Sequence, residues 1–171
     1  MTDVSRFEAF VREHEDRVFA TAVRLLGNRA DAEDIAQTVF LRAFERFESI
    51  GTEPSAGGWL RTVTTNLCLN HLTRFRRRWR LFSEMETDDG GTPYQETIPA
   101  RDAPGEEYAE LEAALHGLPD HQRVPLVLFH FEGRSYREIA SLLRVSLGKV
   151  KTDMHRGRKA LRDRLERDDV R

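Results

Sequence analysis

SYREIASLLRVSLGKVKTDMHRGRKAL, residues 135–161, is the stretch on which the fold turns. Ser135 followed three residues later by Glu138 is a capping-box pattern: hydroxyl and carboxylate satisfy each other's free backbone amides at a helix start. Ile139, Ala140, Leu142 and Leu143 follow at helical spacing, which predicts a first helix of about nine residues. Arg144-Val-Ser146 reads as a short turn filled by Val145. Ser146 then caps a second helix that packs through Val150, Met154 and Leu161. Its outward positions are Lys149, Lys151, Thr152, His155, Arg156 and Arg158. Two helices joined by a tight turn, the second basic on its outer side, form a helix-turn-helix. The second helix of that motif enters a major groove with its N-terminal residues at base edges. Lysines and arginines supply phosphate contacts, and Lys151 and Thr152 are placed to read bases. Arg134, just ahead of the first helix, extends the same basic surface. A plain helical hairpin with a basic face is the bland reading of these residues. The agreement of helix length, cap and charge favours the DNA-binding one.

Working outward, charge comes in blocks. Residues 1–50 hold 7 basic and 10 acidic side chains, residues 51–83 hold 6 and 1, residues 84–115 hold 1 and 10, and residues 116–171 hold 13 and 8. The net −2 of the whole chain hides two basic segments flanking a strongly acidic one. Two basic segments, each at the end of a helical pattern, point to contact with a polyanion at two places.

The N-terminal half is also helical. Phe7, Phe10, Val11, Val18, Ala22, Val23, Leu25 and Leu26 recur at three- and four-residue spacing, and Gly27-Asn28 ends that helix. Asp31 is expected to cap the next one, whose face is Ile35, Val39, Ala43 and Phe47 with Phe40 and Phe44 beside it. Gly and Pro make residues 49–58 a loop. A third helix is predicted over about 59–78, apolar through Trp59, Leu60, Val63, Leu67 and Leu72, ending in the cluster Arg74, Arg76, Arg77, Arg78 and Arg80. Residues 83–105 have no apolar period and read as a flexible acidic linker. Beyond it, Leu118-Pro119-Asp120 breaks the chain and caps another helix, with Pro125 in its second turn and Gly133 after its end. No strand-like alternation occurs. The expectation is an all-α chain of two small helical domains: 1–82, the linker 83–105, and 106–171 carrying the helix-turn-helix.

Other function classes find little support. The longest run without a charged side chain in the apolar stretches is Val124 to Phe131, interrupted by Pro125 and His130. A spanning helix needs about 20 apolar residues, so no membrane insertion is expected. The N-terminus lacks the basic-then-apolar pattern of a secretory leader, so none is expected, and a reducing cytoplasm is the expected location. Cys68 is the single cysteine and lies between Leu67 and Leu69, a core-like setting. His116, His121 and His130 are not spaced to ligate a metal from one helix face. No glycine loop for phosphates occurs, so neither catalysis nor a cofactor is expected.

The motifs together resemble a known family. Leu118-Pro119-x-x-x-Arg123, Glu132-Gly133-x-Ser135-Tyr136-x-Glu138-Ile139-Ala140, Gly148-x-Val150-Lys151 and His155-Arg156-x-Arg158 resemble region 4 of bacterial sigma factors. Leu25-Leu26-Gly27-Asn28, Ala32-Glu33-Asp34-Ile35-x-Gln37-x-Val39-Phe40-Leu41 and Trp59-Leu60 with Asn66-Leu67 are similar to region 2. Regions 2 and 4 alone in a chain this short resemble the extracytoplasmic-function (ECF) subfamily of the sigma-70 superfamily. The resemblance implies binding to core RNA polymerase, at its clamp and flap regions, and recognition of promoter DNA. Region 2 would recognise and open the minus-ten element, and region 4 would bind the minus-thirty-five element as duplex. By position it implies minus-ten contacts at Trp59, Asn66, Asn70, Arg74, Arg76, Arg77 and Arg78, with Trp59 divided between a core role and a wedge. It implies minus-thirty-five contacts at Arg134, Ser146, Lys149, Lys151, Thr152, His155, Arg156 and Arg158. Polymerase contacts fall at Asp34, Gln37, Leu41 and Arg42, and an anti-sigma factor is the regulator it implies. Three residues depart from the pattern. Thr38 stands where an acid is usual. Arg144 stands where glycine is common, requiring a right-handed turn or some strain. Asp153 stands where an arginine is usual, able to accept from cytosine or to pair with Arg156 or Arg158. The alternative is a dimeric helix-turn-helix regulator that binds duplex DNA without polymerase.

Overall fold

The computed structural model describes residues 2–51, 53–83 and 105–168, with the side chains of 75–83, 105–108 and 168 excepted. Every regular element among the described residues is a helix: α1 Asp3–Leu26, α2 Arg29–Glu45, α3 Phe47–Ile50, α4 Ala56–Ser83, α5 Gly105–His116, α6 Asp120–His130, α7 Tyr136–Leu143 and α8 Leu147–Asp168. The chain divides into two compact units, Met1–Ile98 and Pro99–Arg171. The expected linker, 83–105, falls almost wholly outside the described residues.

In the first unit α1, α2 and α4 pack against one another. Thr2 caps α1 by accepting from the Ser5 amide, and Gly27 closes it in the left-handed region (φ 67°), its N–H bonded to the Val23 carbonyl. Val18, Ala22, Leu25, Val39, Ala43, Leu60 and Cys68 are all buried at the three-helix contact. Burying each of the larger ones contributes about 1.5–3 kcal/mol, and the alanines let the helix backbones approach. Phe47 sits edge-on to both Phe7 and Phe10, with ring centroids 5.2 and 5.5 Å apart. These rings tie the end of α2 and the short α3 to the start of α1.

Four local expectations are corrected here. Asn28, not Asp31, caps α2: its Oδ1 accepts from the Asp31 amide at 3.1 Å. Asp31 is thereby placed in the first turn, where Oδ2 meets His71 Nε2 of α4 at 3.2 Å. The loop 49–58 is shorter than expected, because α3 occupies 47–50 and α4 starts at Ala56. Gly57 and Gly58 are helical despite a propensity cost of about 1 kcal/mol each, since Ala56 and Leu60 on either side of them are buried. On α4 the buried row is Leu60, Thr64, Cys68 and Leu72, with Thr65 beside it, while Trp59, Val63 and Leu67 are only half-buried. Thr64 escapes an apolar count because it is polar, yet it buries cleanly by donating its hydroxyl to the Leu60 carbonyl at 2.7 Å. Phe44, expected beside the core, is 57% exposed.

In the second unit α8 is the central element and packs on α5, α6 and α7. α6 continues through Pro125, which is buried. Its N-cap is Pro119 rather than Asp120; the Asp120 carboxylate instead receives Arg123 Nη2. Arg123 is itself buried, and its Nη1 donates to the Leu118 carbonyl at 2.9 Å. α6 and α8 cross closely at Gly157: a Cβ there would stand 2.9 Å from Leu126 Cδ1 and 3.2 Å from the Gln122 carbonyl oxygen. No helix among the described residues is long and apolar enough to cross a membrane.

Candidate nucleic-acid interface

In the second unit the turn between α7 and α8 is built by three short-range devices. Ser135 Oγ accepts from the Glu138 amide at 3.1 Å, the serine half of the expected box. The Glu138 carboxylate lies 3.7 Å from Arg134 Nη1. Arg144 closes α7 in the left-handed region (φ 55°, ψ 47°). Its N–H bonds to the Ser141 carbonyl, and the Val145 N–H to that of Ala140, a Schellman closure with arginine where glycine is favoured. Of the two expectations for Arg144, the strained one is therefore observed. Ser146 Oγ accepts from the Lys149 amide at 3.1 Å and starts α8.

α8 buries Val150, Met154, Asp153 and Gly157. Lys149, Lys151, Thr152, His155, Arg156 and Arg158 are exposed, as is Ser146. Lys159 is exposed as well and belongs to the same basic surface; the sequence reading passed over it. Two of these side chains have internal partners. Lys149 Nζ lies 2.6 Å from Asp153 Oδ2. Arg158 places its guanidinium 5.7 Å from the centre of the Phe129 ring, where it also helps, after burial, to hold the His130 imidazole below the usual histidine range. Arg134 is half-buried and leans toward Glu138. Asp153 is thus neither outward nor paired with Arg156 or Arg158. At position i+4 from Lys149 and one residue before Met154, it faces inward, and its carboxylate meets the ammonium of the preceding turn.

In the first unit α4 carries a second polar row. Asn66, Asn70 and Arg74 are exposed and follow one another every four residues, so they form one stripe on α4, clear of the buried row. Half-buried Trp59 stands seven residues before Asn66 on the same side. Thr62 and Thr73 turn their hydroxyls back to the Gly58 and Leu69 carbonyls, leaving the amides and the guanidinium as the donors of that face. The side chains of Arg76, Arg77 and Arg78 lie outside the described residues. On α2, Asp34, Gln37, Leu41 and Arg42 are all exposed and share one face. Leu41 is 66% exposed and Phe44 adds a second bare apolar group. Thr38 spends its hydroxyl on the Asp34 carbonyl at 3.0 Å.

A helix-turn-helix with a basic outer helix, in a chain that also holds a three-helix unit bearing a polar stripe, has a family counterpart. The pattern of sigma-70 region 2 matches residues 10–80, and that of sigma-70 region 4 matches residues 108–161. The ECF RNA polymerase sigma factor SigW of Bacillus subtilis is 31% identical over 169 residues, covering 95% of this chain and 90% of that one. The chain belongs to the ECF sigma factors. The ECF sigma factor SigE of Mycolicibacterium smegmatis is 40% identical over 167 residues; the match covers 93% of this sigma factor but spans 61% of SigE's length. Among solved structures, sigma factor RpoE of Bartonella quintana, crystallised with the anti-sigma factor NepR, shares the fold with a TM-score of 0.60 at 23% identity, over 94% of this chain and 96% of that one. A sigma factor directs transcription initiation and is not itself an enzyme. The helix-turn-helix of this sigma factor lies in region 4, and its α4 stripe and exposed α2 face lie in region 2.

Proposed function

We propose that this sigma factor divides promoter recognition between its two units, in the cytoplasm, as a subunit bound to core RNA polymerase. The observation that carries the reading is the placement of two separate polar faces on helices whose opposite sides are buried: Asn66, Asn70 and Arg74 on α4, and the basic outer face of α8. In the first unit, Asn66 and Asn70 offer amide donors and acceptors to unstacked bases of the minus-ten element, Arg74 pairs with the backbone, and half-buried Trp59 borders that surface. Single-stranded DNA is held by such a mixture of ring faces, hydrogen-bonding groups and cations. In the second unit, Lys151, Thr152 and His155 meet the minus-thirty-five duplex, with Arg156 and Lys159 on its phosphates. The α2 face of Asp34, Gln37, Leu41 and Arg42 docks on the polymerase clamp, where exposed Leu41 and Phe44 lose their water, while the second unit meets the flap. The same apolar pair is a surface that an anti-sigma factor of the kind bound to the Bartonella protein would cover.

Run-off transcription with purified core polymerase tests this. A discrete transcript that requires the protein is expected, and Asn70→Ala is expected to lower promoter opening well beyond its effect on polymerase binding. Equal loss of both would remove Asn70 from the DNA contacts. A palindromic duplex bound tightly by a dimer without polymerase would replace this reading with that of a conventional regulator.

A further inference from the structure

The Lys149–Asp153 pair is unusual for a DNA-facing helix. Asp153 is 7% exposed and places Oδ2 at 2.6 Å from Lys149 Nζ, with the lysine side chain 50% exposed. The order of charges is the unfavourable one. A cation stands in the first turn of α8 and its anion one turn later, against the direction the helix dipole prefers. A buried carboxylate beside the positive outer face of α8 also removes charge from a surface whose proposed ligand is a polyanion. Lys149 compensates the buried carboxylate, but helix electrostatics give no reason for this order of charges, and local rules are often broken at functional sites.

Its geometry does one thing well. Lysine normally reaches DNA as a mobile point charge with three rotating donors. Here the ammonium of Lys149 is held by Asp153, in a turn whose backbone is fixed by the bond from the Lys149 amide to Ser146 Oγ. One N–H is spent on the carboxylate and two remain for the exposed side. The carboxylate offsets part of the charge and leaves two donors free. Lys149 lies in the first turn of the recognition helix, the part that reaches base edges in a helix-turn-helix. A double donor held in place there, its charge partly offset, fits the paired O6 and N7 acceptors of guanine.

We propose that Asp153 is a positioning residue that turns Lys149 from a phosphate contact into a reader of a guanine in the upstream duplex element. The inference rests on the promoter-binding reading above. Arginine at 153 would do the opposite, adding a cation rather than orienting one.

The test selects duplexes from a library randomised over the upstream element, using the full chain bound to core polymerase, and then measures binding of the selected duplex against salt. Wild type is expected to enrich a G·C pair at one position. Lys149→Gln is expected to lower preference for that pair by about tenfold while leaving the slope of log affinity against log salt unchanged. Asp153→Asn, which frees the cation, is expected to weaken the same preference and steepen that slope by about 0.9, the value for one added phosphate contact. The double variant Lys149→Gln/Asp153→Asn carries no uncompensated buried charge, and its thermal transition separates misfolding from lost recognition. It is expected to fold and to show the preference of Lys149→Gln. A salt slope made shallower by about 0.9 in Lys149→Gln, with every base preference retained, would make Lys149 a phosphate contact and overturn the proposal. So would Asp153→Asn with slope and preference unchanged. If wild type with polymerase enriches no duplex, the promoter-binding reading falls and this one with it.

Discussion

Arg164 lies across Gly117: its Nη2 donates to the glycine carbonyl oxygen at 2.6 Å, and a Cβ at 117 would stand on its guanidinium. The contact joins the last turns of α8 to the turn between α5 and α6, 47 residues away in sequence. It satisfies a carbonyl left without a helical partner at the end of α5. Arg164→Ala is expected to destabilise the second unit by about 1 kcal/mol, below the usual range for a charge-assisted bond because the arginine is exposed. Both tryptophans, Trp59 and Trp79, are in the first unit. A lower far-UV melting transition with an unmoved tryptophan-fluorescence transition is the expected signature, and loss of both together would contradict it.

Gly157 is the tighter constraint. Any side chain there meets Leu126 and the backbone carbonyl of Gln122, and a backbone atom cannot rotate away as the tip of Arg164 can. Gly157→Val is expected to cost about 2 kcal/mol, since overpacking by up to about 3 kcal/mol exceeds the roughly 0.5 kcal/mol gained in helix propensity. Urea denaturation of the full chain, read at the second unit, measures it. A neutral result would mean that the α6–α8 crossing can open.

Arg144 makes the opposite prediction. Its φ of 55° costs a residue with a Cβ about 1–2 kcal/mol, and glycine removes most of that while adding freedom to the unfolded chain. Arg144→Gly is expected to stabilise the second unit by about 0.5–1 kcal/mol, visible as a raised melting transition. A lowered transition would show that the arginine side chain holds the turn by contacts of its own.

Burial, and then the charge of Arg123, push the His116 imidazole below the ordinary histidine range, with Glu112 opposing them. His130 shifts the same way through burial and Arg158. With folded values below the unfolded 6.5, the unfolded chain binds more protons in the interval between them, so stability falls as pH drops through and below about 6.5. Melting temperatures of the second unit are expected to be level above pH 7 and to decline toward pH 5.5. His116→Gln is expected to flatten much of that decline, and an unchanged decline would assign it to other groups.

The helices were legible because what starts and stops them is short-range. Ser135 and Ser146 cap through amides three residues on, and Gly27 ends α1 through its own backbone. Such bonds depend on neighbours in the chain, so spacing reveals them. The same locality explains the misses. Asn28 and Asp31 both suit a cap; Asn28 takes it, and Asp31, one turn in, meets His71 from α4. Likewise Asp120 turned to Arg123 instead of capping α6.

By itself, then, the sequence determined the helices other than α3, their order, the two-part arrangement and the basic character of α8, because periodicity, caps and charge are properties of neighbouring residues. The tertiary structure alone decided burial where those patterns were silent or pointed elsewhere. Thr64 is inside while Phe44 is bare, and Asp153 faces the core and reaches back to Lys149. The reason is physical: burial is set by what other helices bring to a face, and an inward carboxylate is tolerable only when folding also delivers its cation.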